Sequence, residues 1–230
     1  MKRFALLLLL PLMLSACQKT YEFHIRRTVI VDTPQGEVRA STVSKVKYFH
    51  SYGSLVVPDA RGFGGGVAQG EATVVDLGNG RYLFVLIGND TAQLREAHRA
   101  AYDAARKGND NWVPYWMAAL KQQTTPRPVP PEFYPLLVTF GDLSDPASVM
   151  RVDPADLAAT FGAGYALREI TLEVTDDAVT EGVVEGVLGW WREYYDNGYT
   201  MNGEKRIAYG VNDPLADVMT AGVFKARGSK

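Results

Sequence analysis

Apolar side chains recur at alternate positions from Tyr21 to Asp32 (Tyr21, Phe23, Ile25, Val29, Val31), the period of a strand with one buried face. Thr33-Pro34-Gln35-Gly36 reads as a turn, and Val38, Ala40, Val46 and Tyr48 mark the returning strand. Two registers compete for this hairpin. Setting Val31 against Val38 and Tyr21 against Tyr48 gathers the apolar residues on one face. Pro34, however, excludes a type I′ turn, and Gly36 suits a G1 bulge that shifts the pairing by one residue.

The stretch Gly62-Phe63-Gly64-Gly65-Gly66 reads as a flexible connection to a second hairpin, from about Glu71 to Ile87. Asn79-Gly80 is its turn, because both central residues must accept positive φ. The outgoing run Tyr82-Leu83-Phe84-Val85-Leu86-Ile87 has no polar face and predicts a central strand covered on both sides. Thr91 to Lys107 predicts one helix, capped by Asp90 or Thr91, with a stripe of Leu94, Ala97, Ala101, Ala104 and Ala105 and a stop at Gly108. A shorter helix over Pro114 to Lys121 offers Trp116, Met117 and Leu120. Residues 124–135, with prolines at 126, 128, 130, 131 and 135, predict a linker or a strap over the surface. Strands follow near Leu136–Phe140 and Leu167–Thr175, with a short helix between them opened by Asp153 as cap and Pro154 at its first position. Three glycines between Thr180 and Gly189 argue against a helix there, at ~1 kcal/mol each. The sum is an α+β fold: a mainly antiparallel sheet built from two hairpins plus later strands, with helices packed over it.

Composition changes this picture little until the N-terminus is considered. The chain has 230 residues, 47% of them hydrophobic and 22% charged, which fits one packed domain. With 24 basic against 26 acidic side chains, it lacks the basic surface that nucleic acid demands. Cys17 is the single cysteine, so intramolecular disulfides and cysteine-based zinc cages are excluded.

Residues 1–17 read MKRFALLLLLPLMLSAC: a cationic pair, then an apolar run of about ten residues, too short for the ~20 that span a bilayer. Leu14-Ser15-Ala16-Cys17 resembles the lipobox of bacterial lipoproteins. The resemblance implies that the signal (1–16) is cut before Cys17, that a diacylglycerol joins the Cys17 thiol, and that the new amine is acylated. Gln18, rather than Asp, then implies sorting to the outer membrane of a Gram-negative cell, on its periplasmic face. The alternative is an ordinary cleavable signal with a chance cysteine. Two or three acyl chains, at ~0.8 kcal/mol per buried methylene, hold permanently where one binds marginally. Residues 17–20 then form the lipidated anchor and a short tether reaching ~10 Å, and residues 21–230 form the domain. Loss of Lys2 and Arg3 leaves 22 basic against 26 acidic side chains, a net charge of −4. Gly70 to Leu86 and residues 135–175 also resemble segments of uncharacterised proteobacterial proteins, which implies no activity.

Candidate chemistry is sparse. The histidines are His24, His50 and His98, with His24 placed on the polar face beside Lys45 and His98 one turn from Leu94. No Gly-x-Ser-x-Gly elbow and no His-Glu-x-x-His occurs, so no catalytic residue and no metal ligand is assigned. Asp142, Asp145, Asp153, Asp156, Asp176 and Asp177 are carboxylates of the type that bind calcium, but turn and cap roles explain those preceding proline. The Gly62–Gly70 stretch leads into a strand and lacks the Lys-Ser/Thr ending of a phosphate loop. Trp190, Trp191, Tyr194 and Tyr195, followed by Tyr199, form an aromatic stripe if helical, readable as core or as a surface that binds a sugar or a partner. The expected function is a lipid-anchored, non-catalytic envelope protein, without cofactor, that binds or scaffolds an envelope protein or glycan. An envelope hydrolase whose residues meet only in three dimensions is the alternative, with a small-ligand binder beside it.

Overall fold

The computed structural model describes residues 18–53, 56, 61–205 and 214–227. In chain order the elements are β1 (Gln18–Thr33), β2 (Gly36–Ser51), β3 (Gly62–Glu71), β4 (Thr73–Asp76), β5 (Tyr82–Val85), α1 (Asp90–Ala97), α2 (Arg99–Arg106), α3 (Val113–Leu120), β6 (Arg127–Pro128), β7 (Leu137–Phe140) and β8 (Val149–Val152). Then come α4 (Leu157–Phe161), β9 (Ala166–Thr175), α5 (Val183–Val187), α6 (Trp191–Asn197), α7 (Leu215–Val218) and β10 (Lys225–Ala226). They build two antiparallel sheets, one ordered β10-β3-β2-β1-β9-β6 and the other β4-β5-β7-β8. The fold is α+β, as the patterning predicts.

Both hairpins form. β1 and β2 pair with Val31 opposite Val38 and Tyr21 opposite Tyr48 throughout. A slip of β2 by one residue would turn its Tyr48 and Val46 to solvent, and this burial outweighs the preference of the turn. The Thr33 hydroxyl closes that turn, accepting from the Gln35 amide and donating to the Gly36 carbonyl. In the second hairpin Asn79 and Gly80 adopt φ of +55° and +72°, as the dipeptide requires.

The second sheet lies between two cores. Alternate residues of β5, with Leu86 just after it, divide: Leu83 and Val85 join Ile25, Val29, Val46, Leu94, Trp116 and Met117 on one side, while Phe84 and Leu86 join Val184, Leu188, Trp191 and Phe224 on the other. The outward face of the first sheet is polar. Glu22 pairs with Lys45 and Lys47, Arg26 with Glu173 and Asp177, and Arg168 with Asp32 and Glu37.

Several local expectations are overturned. The glycine-rich stretch is strand β3, paired along β2 from His50 opposite Phe63 to Lys45 opposite Gln69. Here glycine serves close approach: at Gly65, φ is +129° and a Cβ would lie 2.1 Å from the Lys47 carbonyl oxygen. Gly65→Ala is therefore expected to lower the denaturation midpoint, costing ~2 kcal/mol or more through backbone strain alone. An unchanged midpoint would show that β3 does not pair in this way.

The single helix over 91–107 is two helices, α1 and α2, separated at His98, whose ψ of 36° leaves the α region. Its cap is Asn89, not Asp90 or Thr91, since the Asn89 side chain accepts from the Ala92 amide. Asp153 closes only a turn through the Ala155 amide, and Asp156 caps α4 instead. The proline-rich stretch is a strap that becomes an edge strand, β6, with Arg127 opposite Leu172. Helix α5 forms despite its glycines because the fully buried Glu71 carboxylate accepts from the amides of Val183 and Val184. Finally, Gln18, Lys19 and Thr20 are not a tether: they are the first residues of β1, opposite Ser51, His50 and Phe49.

Candidate functional site

The aromatic residues near the C-terminus are brought together by α6. Trp190 stacks edge-on against Tyr194 at 5.1 Å, and Trp191 lies parallel to Tyr195 at 4.8 Å, the i, i+4 pairs that a helix produces. Trp191 is fully buried, with its indole N–H donating to the Ala221 carbonyl at 2.9 Å. It belongs to the core, which corrects its assignment as a binding residue. Trp190, Tyr194, Tyr195 and Tyr199 are half-buried. The Arg227 guanidinium sits 4.3 Å from the Tyr195 ring centre, and Trp190 donates to the Leu143 carbonyl at 2.9 Å. A groove of about 360 Å³ beside Trp190 is lined by Leu143, Ser144, Val187 and Gly189. These rings fasten the C-terminal layer to the second sheet rather than forming one open platform.

The histidines are dispersed. His24 stands opposite Lys45 as expected, and its Nδ1 donates to the Asp177 carbonyl at 2.7 Å. His50 is buried against Tyr52, ring centres 5.7 Å apart, and burial together with the Lys19 charge pushes its pKa down. His98 is buried between α1 and α2; burial, and then the Arg127 charge, lowers its pKa. Among the described residues no histidine is hydrogen-bonded to a carboxylate or a hydroxyl, the contact that activates a nucleophile.

His98 and His50 make stability depend on pH. Their folded pKa values lie below the unfolded value of ~6.5, so the unfolded chain binds more protons as the pH falls through that region. Stability is present above ~pH 6.5 and is lost as the pH falls toward the folded values. The melting temperature is expected to be lower at pH 5 than at pH 7.5, with His98→Gln reducing that difference. Asp90, whose folded pKa is raised by burial, works in the opposite direction, so the comparison with His98→Gln isolates the histidine. An unaltered difference would contradict the burial of an uncharged imidazole.

A buried pair of opposite charges lies elsewhere. Arg27 is buried on the core face of β1, donating to the Leu86 carbonyl and to Gln93 Oε1, both at 3.2 Å. Burial lowers its pKa to about 10, opposed by the Asp90 charge, so it stays protonated. Asp90 accepts from the Tyr48 hydroxyl at 2.5 Å; burial raises its pKa, and the Tyr48 hydrogen bond and Arg27 oppose that rise. This network fixes α1 to the first sheet. Its signal was present in the sequence: Arg27 occupies the one polar position in the inward series 21, 23, 25, 27, 29, 31.

The carboxylates considered for calcium are spent on local geometry. Asp142 accepts from Ser144, Asp145 from Ala147, and Asp177 pairs with Arg26. Among the described residues no three ligating side chains converge on a metal position.

The surface feature that patterning missed is the end of the first sheet where β1 begins. Gln18 faces Ser51 and Ser51 faces Gly62, so the three strands end level. Here Phe49 is 42% exposed and Tyr52 45% exposed, with Lys19 and Arg61 also exposed. The Phe49 ring lies over Gly64, where a Cβ would come within 2.7 Å of it. Only the pairing of the glycine-rich strand reveals this cluster. Cys17 lies outside the described residues, immediately before it. No known protein family matches the chain, and no curated protein or solved structure matches it either.

Proposed function

We propose that the protein is an outer-membrane lipoprotein, acylated at Cys17 on the periplasmic face, whose domain is a non-catalytic module that binds or scaffolds another envelope component. The observation that carries this reading is the meeting of the lipobox with the first strand: β1 starts at Gln18, one residue after the acyl-bearing position. Acyl chains there would seat the domain directly on the bilayer. Among the described residues no helix is long and apolar enough to cross a membrane, so attachment in this reading rests on the lipid. The ion-paired outward face of the first sheet, running from Glu22 and Lys45 to Arg168 and Asp32, is the broad polar surface available to a partner protein or glycan.

Labelling cells with radioactive palmitate tests the anchor. The wild-type chain is expected to carry label and to sediment with membranes, whereas Cys17→Ala is expected to lose the label. Label retained by Cys17→Ala would overturn the reading.

A further inference from the structure

We infer that the level end of β1, β2 and β3 is a membrane contact, with Phe49 and Tyr52 inserted at the headgroup boundary of a phospholipid bilayer and Lys19 and Arg61 set against its phosphates. This inference rests on the proposed acylation of Cys17. Its independent support is the shape of the patch. Phe49 points away from the core, opposite Thr20 and Gly64, whereas His50 points inward and Tyr52 stacks on it. The two exposed rings therefore emerge from opposite faces of the ribbon and share only its end. A partner docked flat on either face would cover one of them. A surface met end-on covers both.

The chemistry matches a lipid boundary. Phe supplies apolar area, Tyr supplies a ring with a polar tip of the kind enriched at membrane surfaces, and two cations complement headgroup phosphates. β1 and β2 run for 16 residues each, so the Pro34-Gln35 turn lies ~50 Å from this end, far outside the headgroups. The end nearest the anchor touches the membrane while the turn end stays in water.

The test uses the full-length, processed chain, purified from membranes and placed in vesicles of phosphatidylethanolamine and phosphatidylglycerol. A nitroxide is attached in turn to Phe49→Cys, Tyr52→Cys and Gln35→Cys, the acylated Cys17 leaving each introduced thiol as the only free one. The ratio of collisions with oxygen to collisions with a water-soluble nickel chelate is expected to be several-fold higher at 49 and 52 than at 35. Because Phe49 packs on Gly64, position 52 gives the same reading if substitution at 49 disturbs β2. Equal ratios at 52 and 35, in a chain whose mass shows the diacylglycerol, overturn the contact and leave the anchor standing. A mass without diacylglycerol overturns the anchor and the contact with it.

Discussion

Arg27→Met is expected to destabilise the fold by ~3 kcal/mol, because it leaves a buried carboxylate without its compensating charge. The side chain has two buried acceptors, the Leu86 carbonyl and Gln93 Oε1, and both lose their donor. Asp90, itself 4% exposed, keeps the Tyr48 hydroxyl but loses the positive field that opposes the rise in its pKa. The pH dependence identifies the cause. With Arg27 gone, Asp90 is more easily neutralised, so the loss measured by denaturant unfolding should be larger at pH 8 than at pH 5. Adding Asp90→Asn should recover part of the loss, since both charges are then absent. A loss below ~1 kcal/mol that does not vary with pH would mean that Arg27 does not balance Asp90.

Trp191→Ala is expected to cost ~3–5 kcal/mol, the range for emptying a large aromatic site in a packed core. The side chain is fully buried, and its removal also strips the Ala221 carbonyl of its donor and the Lys225 ammonium of the ring 5.6 Å away. Tyr195→Ala should cost markedly less, because that ring is only half-buried and lies at the surface beneath Arg227. If Trp191 instead belonged to an exposed ligand platform, its replacement would leave the melting temperature near that of the wild type. The ordering of the two variants therefore decides between core and surface without any ligand in hand.

Much of the scaffold was legible because its signals are local or strictly periodic. The alternation from Tyr21 to Val31 marked the first hairpin but left two registers open, which burial of Tyr48 and Val46 decides, and Asn79-Gly80 marked the second turn. The unbroken apolar run of β5 correctly implied cover on both faces, now seen as two separate cores. Illegible features depend on residues distant in the chain. Glycines at 62–66 resemble a loop until Phe49 is placed over Gly64 and the Gly65 backbone is set against Lys47. Helix α5 has poor propensity and forms on a carboxylate from Glu71, 112 residues earlier. The helix over 91–107 breaks at His98 even though its alanine stripe runs on, and the buried imidazole lies near Arg127, Gln123 and Leu172, all distant in the chain.

The candidate sites divide in the same way. The lipobox-like run Leu14-Ser15-Ala16-Cys17 is contiguous and can be read without any fold. Of the aromatic stripe, the i, i+4 pairing was legible, but which ring faced inward was not, because that depends on how α6 packs on Phe140 and Phe224 of the second core. The exposed pair Phe49 and Tyr52 has no motif. It exists only because three strands end level beside residue 18.

Whether the chain is a lipoprotein depends on what residue 17 carries. Mass spectrometry of the chain recovered intact from cell membranes measures this directly. The expected result is a chain beginning at Cys17, with a diacylglycerol on its thiol and an acyl group on its amine. A chain that begins elsewhere, or that carries an unmodified Cys17, would contradict it.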